Sequence, residues 1–385
     1  MAKDKKQKDI SIELLRIYAC LLVIFAHIQI GYMVGDEINS ASLIIKCLIG
    51  DNVPIFLLIL GFYMFNGVQG EDRIQKIPGA FLRKLKGFLI RIYIPTLIVT
   101  LIACFASEFI YKRCTFGQLF TQPNVNWEYL KNYVILQEPM DMVGQFWYII
   151  TYIKILVFFP LLAFLCVDQK GYNGIRRVYI GMSFLSIVFA DIEFLKETTL
   201  LQLSDYVFDR HFLYVLLGFE LALFFRKCKW SKKWQIVASA GVFLCGLGLR
   251  YGLTMYSFDL FGVASNDHFM VLECAPAYIS SAGSLMLFYS VFRNRHNRIV
   301  QFIGGITFYV YMLHGMMIRY FSDIGEEIRV AADTGATNWQ AVQYYMGYGV
   351  VVFILSALFG ILIKEAYDGV CYLIGKGASK YKRIG

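Results

Sequence analysis

Two polar residues, Arg16 and His27, lie within the first long apolar segment of the sequence. They are eleven positions apart, so on a helix of about 3.6 residues per turn they fall on nearly one face, about 16 Å apart along the axis. Arginine binds phosphates or carboxylates through its planar guanidinium, and a neutral imidazole can take a proton from a hydroxyl. The pair favours a site that binds an anion and activates a hydroxyl. The alternative is that Arg16 only follows the positive-inside rule and His27 only hydrogen-bonds a neighbouring helix.

A second group of polar residues, Thr307, Tyr311 and His314, has the spacing i, i+4 and i+7, which places the three on one helix face. His314 lies about as many residues from the expected start of its span as His27 does, so the two histidines are predicted to share one depth. Both a catalytic and an orienting role are open for His314. Two histidines alone do not make a metal site, which usually has three or four ligands, so we expect no metal.

Arg91, in the segment Arg91-Ile-Tyr-Ile-Pro95, enters a later apolar segment from its basic end. It could join Arg16 around an anion, or it could extend to the lipid headgroups. Glu220 lies deeper in another apolar segment. Because a charge at the centre of a bilayer costs at least about 2.5 kcal/mol, Glu220 requires a partner that the sequence does not identify.

The elements that must position these residues are apolar helices. The chain has 385 residues, of which 58% are hydrophobic and 17% charged, whereas soluble domains are roughly 45 to 50% apolar and about 25% charged. This composition excludes an ordinary soluble fold and predicts a single all-α domain over 1–385, a polytopic transmembrane bundle in the lipid bilayer. Ten segments are long enough to span the bilayer: 12–34, 42–66, 87–110, 146–166, 176–195, 206–225, 234–256, 270–292, 299–322 and 341–374.

The basic residues predict the orientation of the bundle, because Lys and Arg accumulate in cytoplasmic loops. They concentrate in alternate loops, within 3–8, 73–86, 170–177, 226–233, 293–298 and 376–383, so both termini should be cytoplasmic. The net charge of +9 is thus spread between spans and not along one face, which argues against a nucleic-acid partner. The longest loop, 111–145, should lie outside and hold an interfacial helix or a lid over an acceptor.

Four motifs, taken in order, resemble the acyltransferase-3 family of bacterial ten-span membrane acyltransferases. They are Arg16-Ile-Tyr-Ala-Cys-Leu-Leu-Val-Ile-Phe-Ala-His27, Val53-Pro-Ile-Phe-Leu-Leu-Ile-Leu-Gly-Phe62, Phe146-Trp-Tyr-Ile149 and Phe308-Tyr-Val-Tyr-Met-Leu-His314. Two positions depart from the family pattern: Leu60 stands where serine is usual and Gln145 where histidine is common. No hydroxyl or imidazole role is assigned there.

The resemblance implies that Arg16 and His27 are the essential pair and that acyl-coenzyme A is the cytoplasmic donor, but it does not identify the acceptor. We expect the acceptor to be a hydroxyl of a cell-surface or lipid-linked glycan, in a bacterial cytoplasmic membrane. Acetyl-CoA is the expected co-substrate, and no permanently bound cofactor is expected. The candidate catalytic residues are His27, Arg16 and His314. Arg16 and Arg91 would bind the donor, and Tyr311 and Trp147 the acceptor.

Two other functions fit buried Arg and His residues equally well. One is a transporter or flippase of a lipid-linked sugar or small acid, which would use them as a pathway. The other is a ligand-binding sensor without chemistry. The sequence has no internal repeat of the kind that marks many transporters, which counts mildly against transport.

Overall fold

The structure is a computed structural model that describes residues 9–28, 33–34, 37–69, 73–110, 147–168, 170–196, 209–262, 268–334 and 338–381. Its helices are α1 (Ile10–Ile28), α2 (Ser40–Ile49), α3 (Asn52–Met64), α4 (Arg73–Phe88), α5 (Ile94–Ile110), α6 (Trp147–Val157), α7 (Phe159–Leu165), α8 (Lys170–Lys196), α9 (Arg210–Lys227), α10 (Lys232–Phe261), α11 (Ala275–Phe292), α12 (Arg298–Tyr320), α13 (Ser322–Thr334) and α14 (Asn338–Tyr381). Short 3₁₀ turns cover Asn66–Val68 and His268–Met270, and a π-helical turn covers Leu89–Tyr93. The predicted all-α class is confirmed.

Within the described residues, eight helical stretches are long and apolar enough to cross a membrane, and α6 with α7 makes a ninth if that bent pair is one span. The two helices meet at 63°, where Pro160 lies in the first turn of α7 and cannot donate a backbone hydrogen bond to the preceding helix. The sixth predicted span, 206–225, coincides with α9, whose length suffices but whose charged residues exceed what a lipid-facing helix tolerates.

Three features differ from the predicted spans. The first span does not run as a helix to residue 34, because Met33–Val34 pairs antiparallel with Glu37–Ile38 as a short hairpin. The second is broken between α2 and α3. Helix α13 was not predicted, since it is too polar for a span. The predicted helix or lid in 111–145 lies outside the described residues.

Helices α3 and α9 touch backbone to backbone through two reciprocal glycines. A Cβ on Gly61 would lie 1.9 Å from the carbonyl oxygen of Val215, and one on Gly218 would lie 2.2 Å from that of Leu58. Small residues permit such close approach, which increases van der Waals contact where lipid supplies no hydrophobic driving force. The contact packs α9, with its charged residues, directly against α3 inside the bundle.

A buried ion pair lies at the break between α2 and α3. Nη1 of Arg250, on α10, lies 3.0 Å from Oδ1 of Asp51, and both side chains are fully buried. The hydroxyl of Ser280, on α11, donates to the same oxygen at 2.6 Å, and Arg250 also donates to the carbonyl of Cys47. Three elements distant in sequence therefore meet at one carboxylate.

Glu220 finds its partner in Arg176, which is fully buried on α8. Nε and Nη2 of Arg176 donate to Oε1 of Glu220 at 2.8 and 2.6 Å. The guanidinium also donates to the carbonyls of Leu165 and Val167 and to the side chain of Asn173. Breaking such a satisfied buried pair by removing one partner typically costs about 3 to 5 kcal/mol.

Candidate active site

His27 and His314 lie against each other, on α1 and α12. Nε2 of His314 is 3.3 Å from Nδ1 of His27, and the two rings meet edge to face with centroids 4.8 Å apart. His314 is fully buried, whereas His27 is exposed in the described part of the chain. The predicted common depth of the two histidines is confirmed.

The hydrogen-bond partners fix the tautomers of both rings. Nδ1 of His314 lies 2.5 Å from the carbonyl oxygen of Tyr311, and Nδ1 of His27 lies 2.8 Å from that of Val23. Because a carbonyl oxygen only accepts, each Nδ1 carries the proton. Nδ1–H of His27 is then shared between the carbonyl of Val23, at 2.8 Å, and Nε2 of His314, at 3.3 Å, and Nε2 of His27 keeps its lone pair. His27 is thus oriented as a base.

A cavity of about 600 Å³ lies beside this pair, between α1, α3, α4, α6, α12 and α14. Its polar lining includes Arg16, Lys84, Arg91, Thr307, Lys364 and Asp368, and its aromatic lining includes Phe56, Tyr63, Tyr148, Tyr152, Phe308, Tyr309, Tyr311 and Tyr367. Arg16 and Arg91 therefore face one cavity, as their common anion-binding role requires. The basic side chains lie at the bundle end that the loop charges predict to be cytoplasmic.

Arg91 owes its position to a local defect in its helix. Pro95 has no N–H to bond to the carbonyl of Arg91, and its ring clashes with that carbonyl. The chain responds with the π-helical turn Leu89–Tyr93, between α4 and α5. Such turns rotate the following side chains relative to a regular helix, and this one leaves Arg91 exposed in the cavity wall.

Arg16 is held by Glu13, one helical turn earlier. Nη1 of Arg16 donates to both carboxylate oxygens at 3.0 and 3.1 Å, and Glu13 is itself buried. The carboxylate packs against α12 at Gly304, where a Cβ would lie 2.4 Å from Oε2. Glycine at this position therefore leaves the space in which Glu13 orients Arg16. The i, i+3 spacing was visible in the sequence, but the contact with α12 was not.

Sequence reasoning missed the two lysines of the cavity. Lys84 was assigned to a loop, yet it lies in α4 with its ammonium 5.4 Å from the ring centre of Phe159. Lys364, on α14, pairs with Asp368 at 2.8 Å. With Arg16 and Arg91 they make four cations in the lining, and three carboxylates pair with them: Glu13 with Arg16, and Glu365 and Asp368 with Lys364. Lys84 and Arg91 form none of these ion pairs, which favours an anionic ligand.

Tyr311 links the cavity to the histidines. It lines the cavity, and its ring centre is 5.8 Å from that of His314 and 6.0 Å from that of Tyr148. Trp147, by contrast, is absent from the described lining and lies against His211, with ring centres 6.3 Å apart. The structure thus brings Arg16, Arg91 and Tyr311 to one cavity, places the histidine pair behind Tyr311 and outside the described lining, and leaves Trp147 beside His211.

The arrangement can bind an anion at one end and move a proton at the other. Arginine and lysine donors suit phosphates, and the unprotonated Nε2 of His27 can accept a proton from a hydroxyl. No group of three or more His, Cys, Asp or Glu side chains that could hold a metal occurs within the described residues.

Comparison with known proteins agrees with these features. The family model described as an acyltransferase domain matches residues 9–361, nearly the whole chain. No curated protein and no solved structure gives a significant match. The matched region includes both histidines, every basic side chain of the cavity lining except Lys364, and thirteen of the fourteen helices completely. The protein therefore belongs to the acyltransferase-3 family of membrane acyltransferases.

Proposed function

We propose that this membrane acyltransferase moves an acetyl group from cytoplasmic acetyl-CoA to a hydroxyl of a cell-surface or lipid-linked glycan. The observation that carries the proposal is the arrangement of a cation-lined cavity next to a histidine whose Nε2 is free. The cations and the histidine are separated along α1 by about 16 Å, so donor binding and acyl transfer occupy different depths of one bundle.

Acyl-CoA enters at the basic end of the cavity. Its phosphates pair with Arg16 and Arg91, and the two lysines of the lining add further positive charge. The aromatic walls suit the flexible pantetheine arm, which brings the thioester toward Tyr311. Charged donors to phosphate form bonds worth about 1.5 to 3 kcal/mol each, so a few suffice for micromolar binding.

His27 acts as the general base. The acceptor hydroxyl gives its proton to Nε2 of His27 while its oxygen attacks the thioester carbon. The carbon–sulfur bond then breaks, and the proton passes to the departing sulfur, which leaves as the coenzyme A thiol. His314 stabilises the transient imidazolium, because its Nε2 accepts the hydrogen bond from Nδ1 of His27.

A two-step route uses the same groups. Nε2 of His27 attacks the thioester carbon and expels coenzyme A, and the acceptor hydroxyl then takes the acyl group from the imidazole. In either route the phenol of Tyr311 orients the acceptor or donates to the developing oxyanion. Trp147, which lies beside His211 and outside the cavity, has no part in either route.

The acceptor reaches His27 from the side away from the basic cavity, where the imidazole is exposed. This places the acylated product toward the outer face of a bacterial cytoplasmic membrane. A glycan hydroxyl suits this route because it is polar, accessible at that face and only weakly acidic, so it needs a base.

The direct test is release of coenzyme A thiol by the purified protein given acetyl-CoA and candidate glycans, with His27→Ala as control. We expect release that depends on the glycan and disappears in the variant. Normal turnover by His27→Ala would refute the role of His27, and movement of a lipid-linked sugar without acyl transfer would identify a transporter. A burst of one thiol per protein without acceptor would select the two-step route.

A further inference from the structure

A second cavity of about 410 Å³ lies between α8, α9 and α11, away from the acyl-transfer site. Its rim carries Arg177 and Lys227, whose side chains are 68% and 59% exposed. Its floor is apolar and includes Leu221, Phe224 and Met286. We name this feature the α8–α9–α11 cleft. A basic rim above an apolar floor complements a phospholipid, whose anionic phosphate lies above its apolar acyl chains.

The charge on the rim is not cancelled by its neighbours. Oε1 of Glu220 already accepts two hydrogen bonds from the buried Arg176. Nε of Arg177 lies 3.6 Å from the other oxygen, Oε2, which is longer than a hydrogen bond. One carboxylate thus faces two guanidinium groups, and Arg177 keeps positive charge for a ligand.

Lys227 is partly neutralised by Asp168, to which its ammonium donates at 2.6 Å. This hydrogen bond lowers the pKa of the Asp168 carboxyl, so the pair remains ionic at neutral pH. Residues 226–233, at the end of α9 and just after it, nevertheless contain five basic residues and no carboxylate: Arg226, Lys227, Lys229, Lys232 and Lys233. Clusters of this kind next to a membrane span attract anionic lipid headgroups.

The cleft lies at the level of the lipid headgroups. Trp230, which is 56% exposed, meets the ring of Phe224 edge to face at 6.0 Å, and tryptophans mark the membrane–water boundary. Beside Arg177, the apolar side chains of Ile175 and Val178 are 60% and 67% exposed, so this face of α8 meets lipid. The nearest available anion of matching shape is therefore a membrane phospholipid.

We propose that the α8–α9–α11 cleft binds an anionic phospholipid whose phosphate lies between Arg177 and Lys227. One acyl chain of this lipid packs against Leu221, Phe224 and Met286. The bound lipid would complete the contact between α8 and α9, beside the buried Arg176–Glu220 pair. The proposal requires only the membrane fold, so it stands or falls separately from acyl transfer.

Native mass spectrometry of the purified protein can test the site with phosphatidylglycerol and phosphatidylcholine of identical acyl chains. We expect phosphatidylglycerol to bind more tightly, and Arg177→Gln to weaken it by about fivefold, the effect of one basic side chain near an anionic headgroup. Arg298→Gln is the matched control, since it removes the same charge from an exposed position on α12, outside the cleft. The affinity of Arg298→Gln for phosphatidylglycerol should stay within about twofold of that of the native protein.

Met286→Trp tests the floor without changing any charge. It fills the apolar part of the cleft and should weaken both lipids, while size-exclusion chromatography checks that each variant folds. Equal binding of the two lipids, or equal loss in Arg177→Gln and Arg298→Gln, would overturn the proposal. So would unchanged binding in Met286→Trp, or displacement of phosphatidylglycerol by millimolar sn-glycerol 3-phosphate, which would indicate a site for free phosphates.

Discussion

Nε2 of His314 lies 3.3 Å from Nδ1 of His27, so one hydrogen bond between imidazoles joins α1 to α12. The carbonyl of Tyr311 holds the far side of His314 and sets the direction of this bond. His314 is fully buried, and with the carbonyl of Val23 it contacts Nδ1 of His27. We therefore propose that His27 contacts the substrate and that His314 orients His27.

Substitution of each histidine should separate these roles. His27→Ala removes the proposed base and should lower kcat by about 100-fold or more. His314→Ala removes one hydrogen bond to a transient cation, worth about 1.5 to 3 kcal/mol, so kcat should fall about 10- to 100-fold. Thiol release with saturating acetyl-CoA and glycan measures both.

His296→Ala serves as the control, because this histidine is exposed in the loop before α12. It should behave as the native protein. A larger loss from His314→Ala than from His27→Ala would reverse the proposed roles.

Arg91→Gln should weaken donor binding more than it slows the reaction. The substitution removes a charged donor from the cavity wall, and loss of such a bond to phosphate should raise the KM for acetyl-CoA about tenfold. We expect kcat to change little and the salt dependence of KM to become less steep. Arg298→Gln, on the same helix as His314 but outside the cavity lining, should leave KM unchanged. A fall in kcat with unaltered KM would place Arg91 elsewhere in the mechanism.

Gly304→Ala tests whether Glu13 orients Arg16. The new Cβ would lie 2.4 Å from Oε2 of Glu13, so the carboxylate must move and Arg16 with it. We expect weaker acetyl-CoA binding, measured by isothermal titration calorimetry. Each loss of about 1 kcal/mol in binding free energy raises the Kd about fivefold. Gly241→Ala is the control, since nothing lies within 4 Å of a Cβ there and Gly241 is not among the residues that line the cavity. Equal binding by the two variants would remove Glu13 from the donor site.

Gly218→Ala should destabilise the bundle. The methyl group would lie 2.2 Å from the backbone oxygen of Leu58, which cannot move without displacing α3 from α9. Overpacking of this kind costs about 1 to 3 kcal/mol, and the melting temperature in detergent should fall by several degrees. Gly241→Ala, where a Cβ meets nothing, should be neutral or slightly stabilising because alanine favours a helix by up to about 1 kcal/mol. The same melting temperature for both variants would contradict the tight crossing of α3 and α9.

The parts of the site that could be predicted from sequence share a physical cause: periodicity along one helix. Arg16 and His27 fall on one face of α1 because helical geometry fixes their relation, and His314 matches the depth of His27 because both spans begin at the same boundary. The depth of a side chain in the membrane and the helix face on which it lies both follow from its residue position within the helix. For this reason the helical class and the common depth of the two histidines were predictable from the sequence, whereas their contact was not.

The remaining features depend on which helix lies beside which, and no local pattern records that. Lys364 enters the cavity from α14, and Glu13 is confined by a glycine on α12. Trp147 and Tyr148 are adjacent in sequence, yet only Tyr148 lines the cavity. The break at Asp51 likewise depends on Arg250, which lies on a helix formed much later in the chain. The packing of helices that are distant in sequence determines each of these four features.

The buried bond between Asp51 and Arg250 also has a consequence for biogenesis. About 200 residues separate the two in the chain, and a ribosome adds roughly 5 to 20 residues per second. The carboxylate of the second crossing therefore emerges roughly 10 to 40 s before its cation exists. During that interval α2 and α3 cannot bury Asp51 as an ion pair with Arg250, so the carboxyl group must remain hydrated, protonated or shielded by the insertion machinery. The ion pair forms only when the seventh crossing arrives, and the order of synthesis thereby sets when the break between α2 and α3 reaches its final packing.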